Sequence, residues 1–315
     1  IYLIIQGNFS VGLLISFIAY VMNFYNPLRQ LAILWANFQQ ALAAWDRISF
    51  LLSLENNLEV AKETKTQQSK TLVHFNDVSF CYPNGKEVLH KVNFDLKRGK
   101  TYAFIGPTGG GKTTTASLIA RLYDATKGTI LLDGKDIKSY DAAERTAKIG
   151  VILQDPILFS GTVRENILYG NEAMTALSNE ELRNSLEEAG LGSLLQRFDS
   201  GLETPIQMTG DGISLGQKQL IAFMRAILRK PELLILDEAT SAVDNETEAA
   251  IQRSLARVSH DRTMVVIAHR LSTSRNADKI YVIDKGSVAQ MGTHAELISE
   301  SGIYRSLWDV QTGSA

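Results

Sequence analysis

A glycine-rich stretch that ends in Lys-Thr carries the clearest chemical signal in the sequence. It runs from Gly106 to Thr113 as Gly-Pro-Thr-Gly-Gly-Gly-Lys-Thr and fits the pattern G-x-x-x-x-G-K-[ST]. Glycines let backbone N–H groups crowd around phosphate oxygens where a Cβ would collide. Lys112 can reach the β- and γ-phosphates of a nucleotide, and the Thr113 hydroxyl can ligate Mg²⁺. The pattern predicts a phosphate-binding loop; a glycine-rich turn without a ligand is the alternative.

The neighbours of this loop supply the strand and the helix that it needs. An apolar run, Tyr102–Ile105, precedes the loop, and a helical pattern, Thr113–Tyr123, follows it. The N-terminus of a helix has free N–H groups and a dipole that favour an anion, so the strand–loop–helix order strengthens the prediction. The predicted phosphate site comprises Gly106, Pro107, Thr108, Gly109, Gly110, Gly111, Lys112, Thr113 and Thr114.

An apolar strand that ends in two acids forms a second nucleotide element. Leu233–Leu236 is followed by Asp237 and Glu238. Such a run is typical of a strand buried on both faces of a parallel sheet, and ligands bind at the carboxyl ends of these strands. There Asp237 can hold Mg²⁺, and Glu238 can polarise a water that attacks the γ-phosphate. A solvated strand end is the alternative, which the preceding phosphate loop disfavours.

Composition excludes several other classes of protein. The 315 residues are 45% hydrophobic with a formal net charge of −2, so a core can form but no overall basic field exists for nucleic acid. Cys81 is the only cysteine, which excludes an intrachain disulfide and a cysteine-based zinc site. The sequence begins without Met or a signal-peptide pattern. We therefore expect the C-terminal part of a longer protein.

The first 54 residues differ from the rest of the chain. No charged residue precedes Arg29, and an apolar helical pattern runs from Val11 to Leu54 with Asn26-Pro27 inside it. As one helix this segment would be about 66 Å long, more than the roughly 30 Å of a bilayer core. We expect a membrane helix, kinked at Pro27, that continues into the cytosol and needs sister helices. A buried helix of a soluble protein is the alternative.

The chain therefore divides into three predicted parts. Residues 1–54 are the end of a transmembrane domain, and the polar residues 55–71 are a linker. Residues 72–315 are an α/β ATP-binding domain, in which short strands, helices and fully apolar runs such as Thr263–Ile267 follow one another.

A second glycine-containing motif makes a family resemblance specific. Gly212–Gln219 reads Gly-Ile-Ser-Leu-Gly-Gln-Lys-Gln and resembles the signature motif of the ATP-binding cassette (ABC) family. The order of parts also matches that family: phosphate loop, Gln154 after a strand, signature, acidic strand, Ser241–Asp244 and then His269. The resemblance covers Leu72 to about Trp308.

The resemblance extends to the exporters of this family and implies a fold and a function. Residues 1–54 resemble the last transmembrane helix of an exporter half-transporter, and Thr162–Ile167 resembles the exporter segment that contacts the membrane part. The implied fold is an α/β P-loop NTPase, with a RecA-like parallel-sheet core, an antiparallel β subdomain and an α-helical signature subdomain. The implied function is ATP hydrolysis, with Mg²⁺, that drives export. We expect a bacterial inner or plasma membrane location, with the ATP-binding domain in the cytoplasm. The sequence does not decide whether the exported substrate is a drug, a lipid or a peptide.

The resemblance also implies roles for individual residues of the ATP site. Tyr82 would stack on adenine. Gln154 would contact Mg²⁺ and the attacking water, and His269 would contact the γ-phosphate and position Glu238. Asp244 would belong to the D-loop. The implied magnesium ligands are Thr113, Gln154 and Asp237.

The signature residues would serve a different ATP molecule. In this family two domains sandwich two ATP molecules, so each signature contacts the nucleotide of the partner subunit. Leu215 departs from the family pattern, which has Gly at this position, and its side chain should crowd that nucleotide and disfavour a positive φ. This asymmetry resembles heterodimeric exporters, so we expect a non-identical partner subunit; a homodimer that tolerates Leu215 stays open. The residues concerned are Ser214, Leu215, Gly216 and Gln217.

Two other functions stay open. A regulatory subunit would hold ATP without useful turnover; Glu238 and His269 argue against it, whereas Leu215 keeps it possible for the partner's site. A nucleic-acid ATPase of the same superfamily would insert long coiled coils between the phosphate loop and the signature, and no sustained heptads occur there. We therefore expect an ATP-driven exporter with no nucleic-acid partner.

Overall fold

The structure, a computed structural model, forms two compact units, 1–57 and 58–315. It describes residues 2–7, 10–53, 58, 60–61, 70–83, 85–153, 155–207, 212–237, 245–258, 262–268 and 274–312. Most of the predicted linker, residues 55–71, lies outside these ranges.

The first unit consists of two helices, α1 (Tyr2–Ile5) and α2 (Val11–Ser53). The 43 residues of α2 continue through Pro27, and at ~1.5 Å per residue they span about 65 Å. Large side chains such as Phe17 and Trp35 are more than 60% exposed, and no residue of α2 is buried. By length and composition α2 can cross a membrane. Such an apolar surface needs lipid or protein to cover it.

The second unit is built on two main sheets. The antiparallel sheet has the strand order β2-β1-β4-β5, and the six-stranded sheet has the order β12-β11-β3-β10-β9-β6. A short pair, β7 with β8, forms a third sheet. The strands are β1 (Thr71–Cys81), β2 (Glu87–Lys97), β3 (Thr101–Ile105), β4 (Lys127–Leu132), β5 (Lys135–Asp136), β6 (Ile149–Ile152), β7 (Gly161–Thr162), β8 (Pro205–Ile206), β9 (Leu233–Asp237), β10 (Thr263–Ile267), β11 (Lys279–Asp284) and β12 (Ser287–Gly292).

Parallel strands form the centre of the six-stranded sheet because their residues are apolar on both faces. β3 pairs in parallel with β10 and β11, and β9 pairs in parallel with β6 and β10. All five residues of β9 are buried, as is typical of a sheet covered on both sides. Among the described strands of this sheet, β12 adds antiparallel pairing at one edge.

Helices pack on the parallel sheet and also form most of a second hydrophobic core. Leu182, Leu220 and Phe223 belong to a helical core, whereas Phe75, Phe94 and Leu118 belong to the core between the sheets. The helices are α3 (Lys112–Ile119), α4 (Ala142–Lys148), α5 (Val163–Leu168), α6 (Glu172–Thr175), α7 (Asn179–Glu188), α8 (Gly192–Leu195), α9 (Leu215–Leu228), α10 (Asn245–Val258), α11 (His294–Ser299) and α12 (Ile303–Thr312), with 3-10 turns at Ile137–Ser139 and Gly201–Glu203.

Candidate nucleotide site

The phosphate loop leaves the carboxyl end of β3. β3 lies between β10 and β11, and its residues from Tyr102 to Ile105 are buried. The loop then turns sharply into α3, which begins at Lys112. The structure thus has the strand–loop–helix order that the sequence predicts.

Glycine is required inside this loop because the loop packs backbone against backbone. Gly106 has a φ of +145°, and a Cβ on it would lie 2.0 Å from the carbonyl oxygen of Ile283. Gly111 has a φ of +110° and caps α3 in the left-handed region. No L side chain adopts these conformations easily. The glycines therefore fix a curved path that a side chain would block.

The start of α3 gathers groups that suit a phosphate. The Lys112 ammonium donates to the carbonyl oxygens of Gly106 at 2.8 Å and Pro107 at 2.9 Å, which holds it within the curve of the loop. Gly111, the N-cap residue of α3, has no side chain to cap the helix, and the first N–H groups of α3 face the loop. Thr113 follows on the exposed side of the helix. Thr108 and Gly109 form the exposed crest of the loop, and Gly110 is buried behind it.

Tyr82 lies next to the first turn of α3. Its hydroxyl is 3.2 Å from Thr114 Oγ1, and its ring meets Phe80 and Tyr123 edge to face, with centroids 4.8 and 5.1 Å away. Sequence reasoning singled out Tyr82 but missed Tyr123, which is the last residue of the predicted helix and carries no motif. The aromatic group beside the loop could hold a base, and the stacking role of Tyr82 stays a prediction.

Asp237 ends its strand at the same edge of the sheet. It pairs with Ile267 of β10, and Ile267 pairs in turn with Phe104 of β3, two residues before Gly106. Asp237 is 9% exposed. The register therefore brings the acidic strand and the phosphate loop to one edge, separated by a single strand.

Four predicted residues lie outside the described part of the chain: Gln154, Glu238, Asp244 and His269. The strands that lead toward them are described. β6 ends at Ile152, paired with Leu236, and β10 ends at Ile267 beside Asp237. The roles of these four residues stay predictions.

The signature residues form the start of α9. Ser214 and Gln217 make a reciprocal capping box, in which the Gln217 N–H donates to Ser214 Oγ at 3.1 Å and the Ser214 N–H donates to Gln217 Oε1 at 2.9 Å. The Gln217 side chain also donates to the carbonyl of Arg197 at 2.7 Å. These bonds fix the direction in which the helix N-terminus points.

Leu215 and Gly216 occupy the first turn of α9. Leu215 has a helical backbone and is absent from the described residues with a positive φ, so its conformation is no obstacle. Its side chain is 43% exposed. Only the size of that exposed side chain therefore distinguishes Leu215 from glycine.

The segment Thr162–Ile167 contributes the helix α5 beside an exposed aromatic pair. Phe159 and Tyr169 stack with centroids 4.1 Å apart. The buried Asn166 accepts from the Phe159 N–H and donates to the Phe159 carbonyl, both at 2.8 Å. Arg225 of α9 donates to the Asn166 carbonyl at 2.7 Å, and burial lowers the pKa of Arg225, with the nearby guanidinium of Arg229 adding to the effect. Sequence reasoning missed Arg225, since its partners lie far away in the chain.

The groups at this edge of the sheet fit a nucleoside triphosphate with Mg²⁺. A curved glycine loop, a lysine and a helix N-terminus supply donors for phosphate oxygens. Mg²⁺ in proteins is held by one or two carboxylates together with substrate phosphates. The Asp237 carboxylate and the Thr113 hydroxyl can supply the protein ligands of this set. Within the described residues, no group of three or more His, Cys, Asp or Glu could hold a metal alone.

Comparisons with known proteins point in the same direction. Residues 89–241 match the sequence model of a family described as ABC transporter. The chain is 41% identical over 307 residues to the "Probable multidrug resistance ABC transporter ATP-binding/permease protein YheH" of Bacillus subtilis, covering 98% of this chain and 45% of that protein. It is 39% identical over 298 residues to a "Fatty acid ABC transporter ATP-binding/permease protein" of Mycobacterium bovis, covering 95% and 47%.

A solved structure is similar over the same extent. "Structure of a bacterial Atm1-family ABC exporter with ATP bound" aligns with a TM-score of 0.74 and 32% identity, covering 96% of this chain and 53% of that chain. The chain thus spans about half the length of the proteins it matches.

Proposed function

Because this chain belongs to the ABC transporter family, we propose that it is the ATP-binding and ATP-hydrolysing part of a membrane exporter. In this proposal, ATP brings two nucleotide-binding domains together. Their dimerisation drives substrate efflux by moving the attached membrane helices. Residues 72–315 would be the ATP-binding domain in the cytoplasm, and α2 the last helix of the membrane domain. A bacterial inner or plasma membrane location is part of the proposal.

The observation that carries the proposal is the shared edge of the parallel sheet. The phosphate loop leaves β3 there, and Asp237 ends β9 one strand away. Lys112 would bind the β- and γ-phosphates, and Tyr82 would bind the adenine ring. Thr113, Asp237 and Gln154 would hold Mg²⁺, which when bound neutralises charge on the phosphates.

Three residues would perform the hydrolysis. Glu238 would accept a proton from the attacking water. His269 would contact the γ-phosphate and position that water and Glu238. Gln154 would contact the same water and the Mg²⁺ ion. All three follow directly or closely on strands that end at the shared edge.

The first turn of α9 would act on the ATP of a partner subunit. Its capping box points the helix N-terminus in one direction, and a helix N-terminus favours an anion. A second ABC subunit would supply the complementary phosphate loop. ATP would then stabilise the closed dimer, and hydrolysis would release it, because ATP and ADP bind the two states with different affinity.

We further propose that the exposed aromatic pair receives the membrane domain of the transporter. Ile157, Phe159 and Tyr169 are 66%, 41% and 52% exposed, and they are the apolar side chains of the surface that we propose. Arg225 holds this surface in place by donating to the carbonyls of Ile157 and Asn166. Contiguous patches of exposed apolar side chains mark sites of contact with proteins or membranes.

The exposed side chain of Leu215 favours a non-identical partner. In a homodimer, Leu215 would face the nucleotide of each site, whereas a partner with glycine at this position would leave one site unobstructed. The ATP site of this chain would then be the competent one. The alternative is a regulatory subunit that holds ATP without useful turnover. Which substrate is exported would be decided by the membrane helices.

The test is ATP turnover by the full chain in detergent with Mg²⁺, compared with Glu238→Gln. We expect slow turnover by the chain alone, because Leu215 would face both nucleotides of a homodimer, and we expect Glu238→Gln to abolish it while ATP binding persists. Glu188→Gln, the same change at an exposed position on α7, is the matched control and should leave turnover intact.

The same experiment separates the alternatives. ATP binding without turnover in the unsubstituted chain would favour the regulatory role or a missing partner. Brisk turnover by the chain alone would exclude an obligate heterodimer. Absence of ATP binding would refute the proposed function.

A further inference from the structure

The turn between β11 and β12 lies directly behind the phosphate loop. Asp284 pairs with Ser287, which leaves Lys285 and Gly286 as a two-residue turn with φ of +46° and +75°. Two positive φ values in succession are the mark of a type I′ turn. The Gly286 N–H donates to the carbonyl oxygen of Gly110 at 3.0 Å. The turn thus makes a direct backbone bond to the loop.

β2 holds this turn from its other side. The carbonyl of Gly286 accepts from the His90 N–H at 2.8 Å. A Cβ on Gly286 would lie 2.1 Å from the carbonyl oxygen of Val88. Gly286 is therefore enclosed between a strand of the antiparallel sheet and the phosphate loop, with no room for a side chain.

The end of β11 supports the loop at a second point. Val282 pairs with Ile105, so Ile283 comes level with Gly106. A Cβ on Gly106 would lie 2.0 Å from the Ile283 carbonyl oxygen, and a Cβ on Gly110 would lie 2.7 Å from the same atom. The loop therefore rests on β11 and its turn through backbone contacts.

The bond to Gly286 has a consequence for the orientation of the next peptide group. In a planar trans peptide the carbonyl of one residue and the N–H of the next point in opposite directions. Since the Gly110 carbonyl points to Gly286, the Gly111 N–H points away from the turn. A rotated peptide would present a carbonyl oxygen, which repels phosphate, in place of this N–H.

We propose that the turn at Lys285–Gly286 fixes the Gly110–Gly111 peptide so that the Gly111 N–H faces the phosphate. Gly286 is then a positioning residue for nucleotide binding, acting through Gly110. This inference rests on the proposed ATP binding. The sequence motif of the loop does not contain it, because Gly286 lies far along the chain and belongs to an ordinary hairpin turn.

The test compares ATP affinity of the full chain in detergent with that of Gly286→Ala, by calorimetry at a temperature where circular dichroism shows both folded. The added Cβ should push the turn from the loop and weaken ATP binding by about tenfold, which corresponds to roughly 1.4 kcal/mol. Gly99→Ala is the control, because Gly99 also has a positive φ of +67° but no atom within 4 Å of an added Cβ.

A second variant serves if Gly286→Ala does not fold. A glycine inserted after Lys285 lengthens the two-residue turn without adding a side chain, and so changes its geometry against the Gly110 carbonyl. The same insertion in the Asp133–Gly134 turn, with φ of +54° and +75°, is its control. We expect weaker ATP binding only for the insertion after Lys285.

Each outcome has one meaning. A purely structural role for the turn would lower the unfolding temperature without nucleotide and leave the ATP affinity of folded protein unchanged, which would overturn the inference. ATP affinities of the Gly286 variants equal to those of their controls would do the same. Failure of the unsubstituted chain to bind ATP would refute the proposed function instead.

Discussion

The two edges of the parallel sheet hold their charged residues in different ways. At the carboxyl edge, the Lys112 ammonium donates to the neutral carbonyls of Gly106 and Pro107. At the amino edge, lysines meet carboxylates: Lys148 Nζ lies 2.6 Å from Glu232 Oε1. Backbone carbonyls hold an ammonium group through their dipoles, whereas carboxylates bind it through opposite charge. The first arrangement suits a phosphate ligand, and the second stabilises the fold.

Four side chains form what we call the amino-edge cluster: Arg98, Asp133, Lys148 and Glu232. Arg98 bonds to both carboxylates, and Lys148 lies 3.3 Å from Asp133 and 2.6 Å from Glu232. Arg98 and Asp133 come from turns next to the antiparallel sheet, whereas Lys148 and Glu232 directly precede β6 and β9. The cluster therefore ties the two sheets together.

The cluster favours the charged forms of its members. Burial raises the pKa of Glu232, but hydrogen bonds from Lys148 and Arg98 outweigh it, so this pKa lies below its usual value. The pKa of Asp133 is lowered in the same way, with burial again opposing the bonds from Arg98 and Lys148. The bond to Glu232 raises the pKa of Arg98. Folding and ionisation thus support each other at this edge.

The largest expected effect concerns the carboxyl edge and is on activity. Lys112→Gln removes the cation that would bind the phosphates, so ATP turnover should fall by about 10²- to 10³-fold, as for loss of one transition-state donor. The unfolding temperature should change little, because the bonds of Lys112 to Gly106 and Pro107 involve carbonyls that the glutamine amide can still approach. Turnover and differential scanning calorimetry on the same preparation check both statements. A large loss of stability would break the comparison between the edges.

An intermediate effect is expected at the amino-edge cluster and is on stability. Glu232→Gln leaves two cations with one carboxylate, and for this partly exposed group we expect a loss of about 1 kcal/mol at pH 7. The corresponding fall in unfolding temperature is roughly 2–4 °C. ATP turnover at low temperature should be unchanged.

The pH dependence of this loss follows from the lowered pKa of Glu232. A carboxyl group whose pKa is lowered by folding stabilises the protein above its unfolded pKa of about 4.3, and the contribution disappears as the pH falls through the folded value. The difference between Glu232→Gln and the unsubstituted chain should therefore shrink below about pH 4. An equal difference at pH 7 and pH 3 would show that Glu232 acts by packing rather than by charge.

Local patterns explain what the sequence alone could predict. The phosphate loop and its flanking elements lie between Thr101 and Ile119, so one continuous stretch contains the whole signal. β10 has the bounds of the apolar run Thr263–Ile267, and β3 begins one residue before the apolar run Tyr102–Ile105, because both are short apolar runs with polar neighbours. The helix after the loop ends at Ile119 rather than at Tyr123, since Arg121 adopts a φ of +50° and bonds to Asp124.

Contacts between distant residues explain what the sequence could not predict. Arg98 and Glu232 are 134 positions apart, and no periodicity links them. Strand β1 stays continuous from Thr71 to Cys81 although its pairing shifts around Asp77, where φ is +48°, and no local pattern indicates this shift. The Asn93 side chain accepts from the Asp77 N–H at 2.8 Å and so supports this irregularity from the neighbouring strand.

The smallest expected effect separates a charge from a backbone bond at the amino edge. Asp278 accepts from Lys100 Nζ at 2.8 Å and from the Thr101 N–H at 2.9 Å. Burial opposes ionisation of Asp278, but these bonds outweigh it and lower its pKa. Lys100→Ala should leave the unfolding temperature unchanged, because exposed ion pairs contribute little and are screened by salt. Asp278→Ala should lower the unfolding temperature measurably, since the first N–H of β3 loses its partner.

Thermal unfolding at low and at 1 M salt distinguishes the charge pair from the backbone bond. If Lys100→Ala lowered the unfolding temperature as much as Asp278→Ala, and high salt removed both effects, this edge would depend on paired charge alone, and the amino edge would differ from the carboxyl edge even more sharply than the structure implies.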